Sequence, residues 1–240
     1  MAAFDGKIVM VTGATGNLGQ AVVRQFAAQG AKLVLVARAP GDLQALAAEL
    51  KAASQSEAMS EAADLSDPAS VDALVKRVEE RFGHIDVLAH TVGGYAAGKP
   101  VHESEIDVLD KMFALNVKPI YVTAGRVARS MVDQGQGGKI VVVLAKSGLK
   151  GQANAAAYTA SKAAGQRIVE SMGFELRDKG INVNAVLPSI MDSPANRKDM
   201  PNADPAKWVT TDDVADAILF LASDAASKIN GASIEVYGRS

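Results

Sequence analysis

Lys7-Ile8-Val9-Met10-Val11-Thr12-Gly13-Ala14-Thr15-Gly16-Asn17-Leu18-Gly19 is the stretch on which the fold turns. Its first five residues, Lys7 to Val11, are mostly apolar and partly β-branched, and read as a strand. Leu18 to Gln29 reads as a helix that Gly30 stops. Between them, glycines at 13, 16 and 19 permit a tight turn and a close approach of backbone to ligand. The helix N-terminus behind that turn offers free N–H groups and a partial positive charge, which suit a pyrophosphate. Gly13, Thr15, Gly16, Asn17, Leu18 and Gly19 are therefore candidate phosphate-binding residues. A plain glycine-rich turn from strand to helix is the other reading.

The same alternation continues along the chain. Lys32–Ala37 is a second strand and Asp42–Ala53 a second helix. Met59–Ala63 is a weak third strand, followed by a helix from Pro68 to Phe82. Ile85–His90 is the fourth strand. A long helical stretch from Glu105 to Asp133 contains Pro119, where a kink is expected. Lys139–Leu144 is the fifth strand. A further helix runs to about Lys179, with Gly180 as its stop. Ile181–Leu187, a helix at Thr211–Ser223 and a strand at Ser233–Val236 complete the order. Runs such as Ile140-Val141-Val142-Val143-Leu144 are apolar throughout, as strands covered on both faces by helices must be. Repeated strand-helix order implies one parallel α/β sheet with right-handed crossovers. Residues 1–240 read as a single domain. The irregular stretch from about 188 to 210 holds Pro188, Pro194, Pro201 and Pro205, and reads as a lid over a substrate.

Composition narrows the chemistry. The 240 residues carry a net charge of −2 and no cysteine. Nothing in that balance points to nucleic acid or an anionic membrane as partner. Thiolate chemistry and disulfides are excluded, and three scattered histidines argue against a metal centre. With no signal-like N-terminus and no apolar run of membrane-spanning length, a cytoplasmic protein acting on a small molecule is expected. The second strand ends Val36-Ala37-Arg38, with no acid before Asp42. An acid there would bind a ribose 2′-hydroxyl, whereas Arg38 suits a 2′-phosphate, so NADP is favoured over NAD. A solvated Arg38 is the alternative.

Tyr158 and Lys162 lie four residues apart in an alanine-rich helical run and so share one face. A cation beside a phenol favours the phenolate, and is expected to draw the phenol from about 10 towards neutrality. So tuned, Tyr158 serves as general acid or base. Two ordinary helix-surface side chains would carry the same spacing.

Taken together, these segments resemble the short-chain dehydrogenase/reductase family over essentially the whole chain. The resemblance implies a Rossmann-type doubly wound parallel sheet of about seven strands, a nicotinamide cofactor and hydride transfer. It makes Tyr158 and Lys162 the catalytic pair, with Lys162 also holding the nicotinamide ribose. Asn116, in Leu115-Asn116-Val117, matches the asparagine that supports a proton-relay water. Asp64-Leu65 matches the pair that contacts adenine. Pro188-Ser189-Ile190-Met191-Asp192-Ser193-Pro194 is similar to the segment beside the nicotinamide, which assigns Pro188, Ile190 and Ser193 to the cofactor. Homodimers or homotetramers, built through the helices around 105–133 and 155–179, are implied as well.

The departures from that family carry information. Asn17 stands where the loop's middle glycine is usual. His90-Thr91-Val92-Gly93 replaces Asn-Asn-Ala-Gly, leaving Thr91, Val92 and Gly93 as cofactor candidates. The serine expected thirteen residues before the tyrosine is Ala145, and the nearest hydroxyl is Ser147. The dihydropteridine reductase branch also lacks that serine. Val92-Gly93-Gly94-Tyr95-Ala96-Ala97-Gly98 and Asp192 to Asp204 are similar to its segments, although that branch carries an acid after the second strand. A ketone gains from a second hydroxyl because charge grows on its oxygen as hydride arrives. A quinonoid dihydropterin spreads the incoming electrons over its ring, and Ala145 leaves room for a flat ring. The resemblance therefore implies a reductase of a conjugated imine or carbonyl. A carbonyl or 3-oxoacyl thioester reductase using Ser147, and a non-catalytic dinucleotide-binding regulator, are the other readings. Tyr95 and Trp208 are either aromatic stacking surfaces for substrate or lid packing, and His90 is either a cofactor contact or a core residue.

Overall fold

The computed structural model describes residues 3–54 and 56–239. Seven strands form one parallel sheet in the order β3-β2-β1-β4-β5-β6-β7. They are β1 (Ile8–Thr12), β2 (Lys32–Ala37), β3 (Ala58–Ala62), β4 (Val87–His90), β5 (Gly138–Val143), β6 (Ile181–Pro188) and β7 (Ser233–Val236). The helices are α1 (Asn17–Ala28), α2 (Pro40–Ser54), α3 (Pro68–Phe82), α4 (Ile106–Asn116), α5 (Lys118–Gln134), α6 (Ala156–Leu176), α7 (Pro194–Asp199) and α8 (Thr211–Ala222).

The unbroken apolar runs are explained by two cores, one on each face of the sheet. Val9, Val11, Leu33, Leu35 and Val141 face a layer containing α1, α2 and α8. Their neighbours Met10, Val34, Leu88, Ile140 and Val142 face a layer containing α3, α5 and α6. All of these residues are fully buried or nearly so. The helical stretch around Pro119 divides into α4 and α5, separated by Val117, with proline in the first turn of α5. A proline there costs no hydrogen bond, because first-turn N–H groups have no helical acceptor. The fourth strand starts two residues later than its sequence suggests, at Val87. Ile85 is fully buried and its N–H donates to Gln134 Oε1.

The segment from 188 to 210 is less irregular than its prolines suggest. It contains α7, a turn of 3₁₀ helix at Pro205–Lys207, and a parallel bridge between Met191 and Val209. Asp192 and Arg197 form a two-pronged ion pair at 2.6 and 2.7 Å.

Strand order reverses between β1 and β4. In an open parallel sheet this switch point leaves a crevice beyond the carboxyl ends of the strands, where ligands bind. Thr12 and His90 are register partners at that edge. The glycine loop leaves β1 and the Thr91–Gly98 segment leaves β4, so both reach the crevice.

Candidate active site

The loop after β1 has the backbone that its glycines allow. Gly13 has φ +72°, and a Cβ there would stand 2.8 Å from Thr91 Oγ1. A Cβ on Gly19 would fall 2.0 Å from the Gly13 carbonyl oxygen, so only glycine lets α1 begin this close to the loop. Gly16 caps α1 without a side-chain acceptor, and no acidic residue occupies the first turn. The leading N–H groups of α1 and its positive end are thus left for an external anion. Asn17 and Gly16 are exposed, and Leu18 is buried as an anchor. Thr15 O accepts from Gln20 Nε2 at 2.9 Å. Arg38 is exposed just beyond β2. Beyond β3, Leu65 is buried and Asp64 is exposed, its Oδ1 accepting from Ser66 N.

Tyr158 lies in the first turn of α6, half-buried, and Lys162 one turn further on is 6 % exposed. The Lys162 ammonium is 6.0 Å from the Tyr158 ring centroid. Asn116, fully buried at the end of α4, joins three segments. Its Oδ1 accepts from Gly94 N at 2.7 Å. Its Nδ2 donates to Gly94 O at 3.0 Å and to Ser161 Oγ at 2.9 Å. Ser161 in turn donates to the Tyr158 carbonyl at 2.7 Å. The segment after β4, the end of α4 and the start of α6 are therefore tied together. A Cβ on Gly93 would stand 3.0 Å from Asn116 Oδ1 and 3.1 Å from Lys162 Nζ, so its absence leaves both groups room. Thr91 Oγ1 donates to Thr12 O at 2.7 Å, and Val92 packs on the core.

The electrostatics differ from the expectation of a phenol drawn towards neutrality. Burial pushes Tyr158 up to about 12, and Tyr95 adds to the rise. Burial pushes Lys162 down to about 8. At 6.0 Å from the ring centre, the ammonium does not outweigh removal of the phenol from water. Tyr158 is a protonated phenol at neutral pH, able to give a proton rather than take one.

Tyr95 is 70 % exposed and meets Tyr158 edge to face, with ring centroids 4.8 Å apart at 79°. Trp208 is only 7 % exposed, beside buried Val209, and does not offer an open ring face. Ala145 is buried just past β5. Ser147 lines an open cavity of about 480 Å³ with Thr159, Ala160 and Ala163. Among the described residues no hydrogen bond joins Ser147 to Tyr158. The two ends of the 188–210 segment are tied together by Asp192 N to Val209 O at 2.7 Å and Val209 N to Ile190 O at 3.1 Å. Pro188 ends β6, Ile190 is 39 % exposed, and Ser193 caps α7 by accepting from Asn196 N.

The short chain dehydrogenase model matches residues 7–204 of this sequence. The chain belongs to the short-chain dehydrogenase family. Within it, L-rhamnose 1-dehydrogenase (NAD(P)(+)) of Sphingomonas sp. (strain SKA58) is 31 % identical, covering 99 % of this chain and 97 % of that enzyme. D-threitol dehydrogenase of Mycolicibacterium smegmatis is 31 % identical, over 98 % of this chain and 92 % of that enzyme. The crystal structure of NAD⁺-bound xylitol dehydrogenase superposes with a TM-score of 0.89 at 26 % identity, covering 98 % of this chain and 99 % of that one. This short-chain dehydrogenase is accordingly an NAD(P)-dependent oxidoreductase. The relatives are named for sugars and polyols, and the narrower likeness to the dihydropteridine reductase branch has no counterpart among them.

Several residues of the site escaped the sequence. Ser161 and Gly94 complete the Asn116 junction. Thr12 joins the two crevice loops through Thr91 and His90. Ser161 lies between Tyr158 and Lys162 on α6, and that position was the available signal. The Lys146 ammonium lies 4.4 Å from the Tyr237 ring centroid, and nothing local in a separation of some ninety residues foretells that.

Proposed function

We propose that this enzyme reduces a planar conjugated imine or carbonyl, of the quinonoid dihydropterin kind, with NADPH favoured over NADH and Tyr158 as proton donor. The observation that carries the reading is Ala145 where the family places a serine, with Ser147 on the cavity shared with Thr159 and Ala163. A substrate that delocalises charge needs no second hydroxyl at that point. Tyr158 carries the proton to be transferred, and exposed Tyr95 offers an aromatic wall beside it.

The residues fit a dinucleotide. The glycines at 13, 16 and 19 open the approach to α1, and a Cβ on Gly19 would close it. Gly13 to Gly19 would hold the pyrophosphate, Arg38 the 2′-phosphate, and Asp64 with Leu65 the adenine. Lys162 would hold the nicotinamide ribose. Thr91, Val92, Gly93, Pro188, Ile190 and Ser193 would line the nicotinamide end. When bound, the nicotinamide supplies the hydride. Tyr158 Oη then gives its proton to the heteroatom that has gained charge, and the Lys162 ammonium stabilises the phenolate left behind. Asn116 keeps both in register through Gly94 and Ser161.

Oxidation of a sugar or polyol is the second reading, favoured by the names of relatives matched over the whole chain. Steady-state rates with quinonoid dihydropterin plus NADPH or NADH, set beside L-rhamnose and D-threitol plus NADP⁺ or NAD⁺, separate the two. Turnover of the dihydropterin no faster than background rejects the leading reading. A homodimer or homotetramer belongs to the same proposal. The groove between α5 and α6, lined by Tyr121, Arg129, Ile168 and Met172, would take a second copy. Tyr121 and Phe174 are 68 % and 70 % exposed beside it. Sedimentation velocity showing only monomer at micromolar concentration would rule this out.

A further inference from the structure

His90 is the buried titratable group that this chemistry leaves unused. It ends β4 with no exposed surface, at the position where the family has asparagine. Its Nδ1 lies 3.0 Å from Thr12 Oγ1. Its Nε2 is buried and, among the described residues, has no hydrogen-bond partner. A buried polar atom left so costs on the order of 1–3 kcal/mol unless water or a ligand satisfies it.

The surroundings decide what that nitrogen can accept. Burial pushes the imidazole down to about 3, and the Lys162 charge, close enough to act on His90, adds to the fall. The ring is therefore neutral, with one N–H and one lone pair. Thr12 Oγ1 occupies Nδ1, so Nε2 is the ring atom left for a further partner, and an ammonium has only donors to offer it. With the proton on Nδ1, that N–H donates to Thr12 Oγ1 and Nε2 keeps its lone pair. The other titratable groups nearby are Tyr158 on α6 and Tyr95 against it. β1 and β5 bring Thr12 and Val142 to His90 by register, and α5 covers this face with Ile120, Ala124 and Val127. None of these titrates.

We propose that His90 Nε2, through one buried water molecule, accepts a hydrogen bond from the Lys162 ammonium, making His90 a positioning residue for the catalytic pair. The proposal rests on Lys162 being the cationic partner of Tyr158. It would link the catalytic lysine to Thr12, whose carbonyl also holds Thr91 of the crevice. Asparagine at this position, with its shorter side chain, would place its acceptor nearer the strand. The histidine here extends that reach.

Imidazole ¹⁵N spectra of the cofactor-free protein test the geometry without any turnover. The expected result is a proton on Nδ1, none on Nε2 down to pH 5, and an Nε2 resonance that moves in Lys162→Met. A protonated Nε2, or a resonance indifferent to that substitution, overturns the proposal. The functional arm compares His90→Leu with His90→Gln, whose amide oxygen keeps an acceptor in place. Loss of the acceptor destabilises the ammonium, so the alkaline limb of kcat should move about one pH unit lower in His90→Leu, as expected for one charge-assisted hydrogen bond. It should return in His90→Gln. An unmoved limb in a folded His90→Leu protein overturns the assignment. If no substrate in the panel is turned over, the functional proposal fails while the ¹⁵N result still decides this one.

Discussion

The glycine loop and the catalytic face meet at the same crevice but are built differently. The loop is fixed by backbone geometry: positive φ at Gly13, and no room for a Cβ at Gly19. The face proposed to be catalytic is fixed by hydrogen bonds between distant parts of the chain, with the Asn116 side chain joining the Gly94 backbone to Ser161, and Ser161 bonded to the Tyr158 carbonyl. Sterics tolerate no substitute, so the loop is built from residues whose identity announces the need. Electrostatics in a buried site depend on what surrounds a group, so Tyr158 and Lys162 announce a pair without announcing its pKa values.

Substitutions should separate the two regions. Tyr158→Phe is expected to lower kcat by about 10²–10⁴ while cofactor affinity changes less than about threefold. Stopped-flow turnover beside a fluorescence titration measures both. Gly19→Val should do the reverse. It forces the loop and α1 apart and weakens NADPH binding by about 10²-fold, the scale of an overpacked contact. Unchanged binding in a folded Gly19→Val protein would break the steric account of the loop. Arg38→Ala should weaken NADPH by about tenfold, or ~1.4 kcal/mol, and leave NADH unchanged. Equal losses for both cofactors would make Arg38 a solvated side chain.

The smallest expected effect is on stability with pH. Lys162 is pushed below its ordinary value of 10.5 to about 8, so between those values the unfolded chain holds more protons than the folded one. Stability contributed by this group therefore rises with pH across that window. Urea midpoints should show the rise in the native protein and lose it in Lys162→Met. Catalysis that needs the ammonium should fall across the same range, as pH climbs through about 8.

How much was legible follows the same division. The parallel sheet, its two-faced cores and the glycine loop were readable, because periodicity and glycine requirements are local. The division into α4 and α5 was signalled by Pro119. The short α7 and the Met191–Val209 bridge were not, because their prolines read equally well as loop. The spacing of Tyr158 and Lys162 predicted a shared face but the wrong direction for the phenol, since the burial that raises it comes from the tertiary fold. Tyr95 and Trp208 looked alike in sequence, and the fold exposed one and buried the other.

Under the proposed function, Ala145 selects a substrate able to do without a second hydroxyl. The most direct measurement is kcat/KM of the native enzyme and of Ala145→Ser, each with a simple hydroxyketone and with quinonoid dihydropterin. The account predicts a gain of about 10² for the hydroxyketone, the worth of one such donor, and a change of less than about threefold for the dihydropterin. A native enzyme that already handles the hydroxyketone faster than the dihydropterin, or a serine variant that gains nothing on it, would contradict the account.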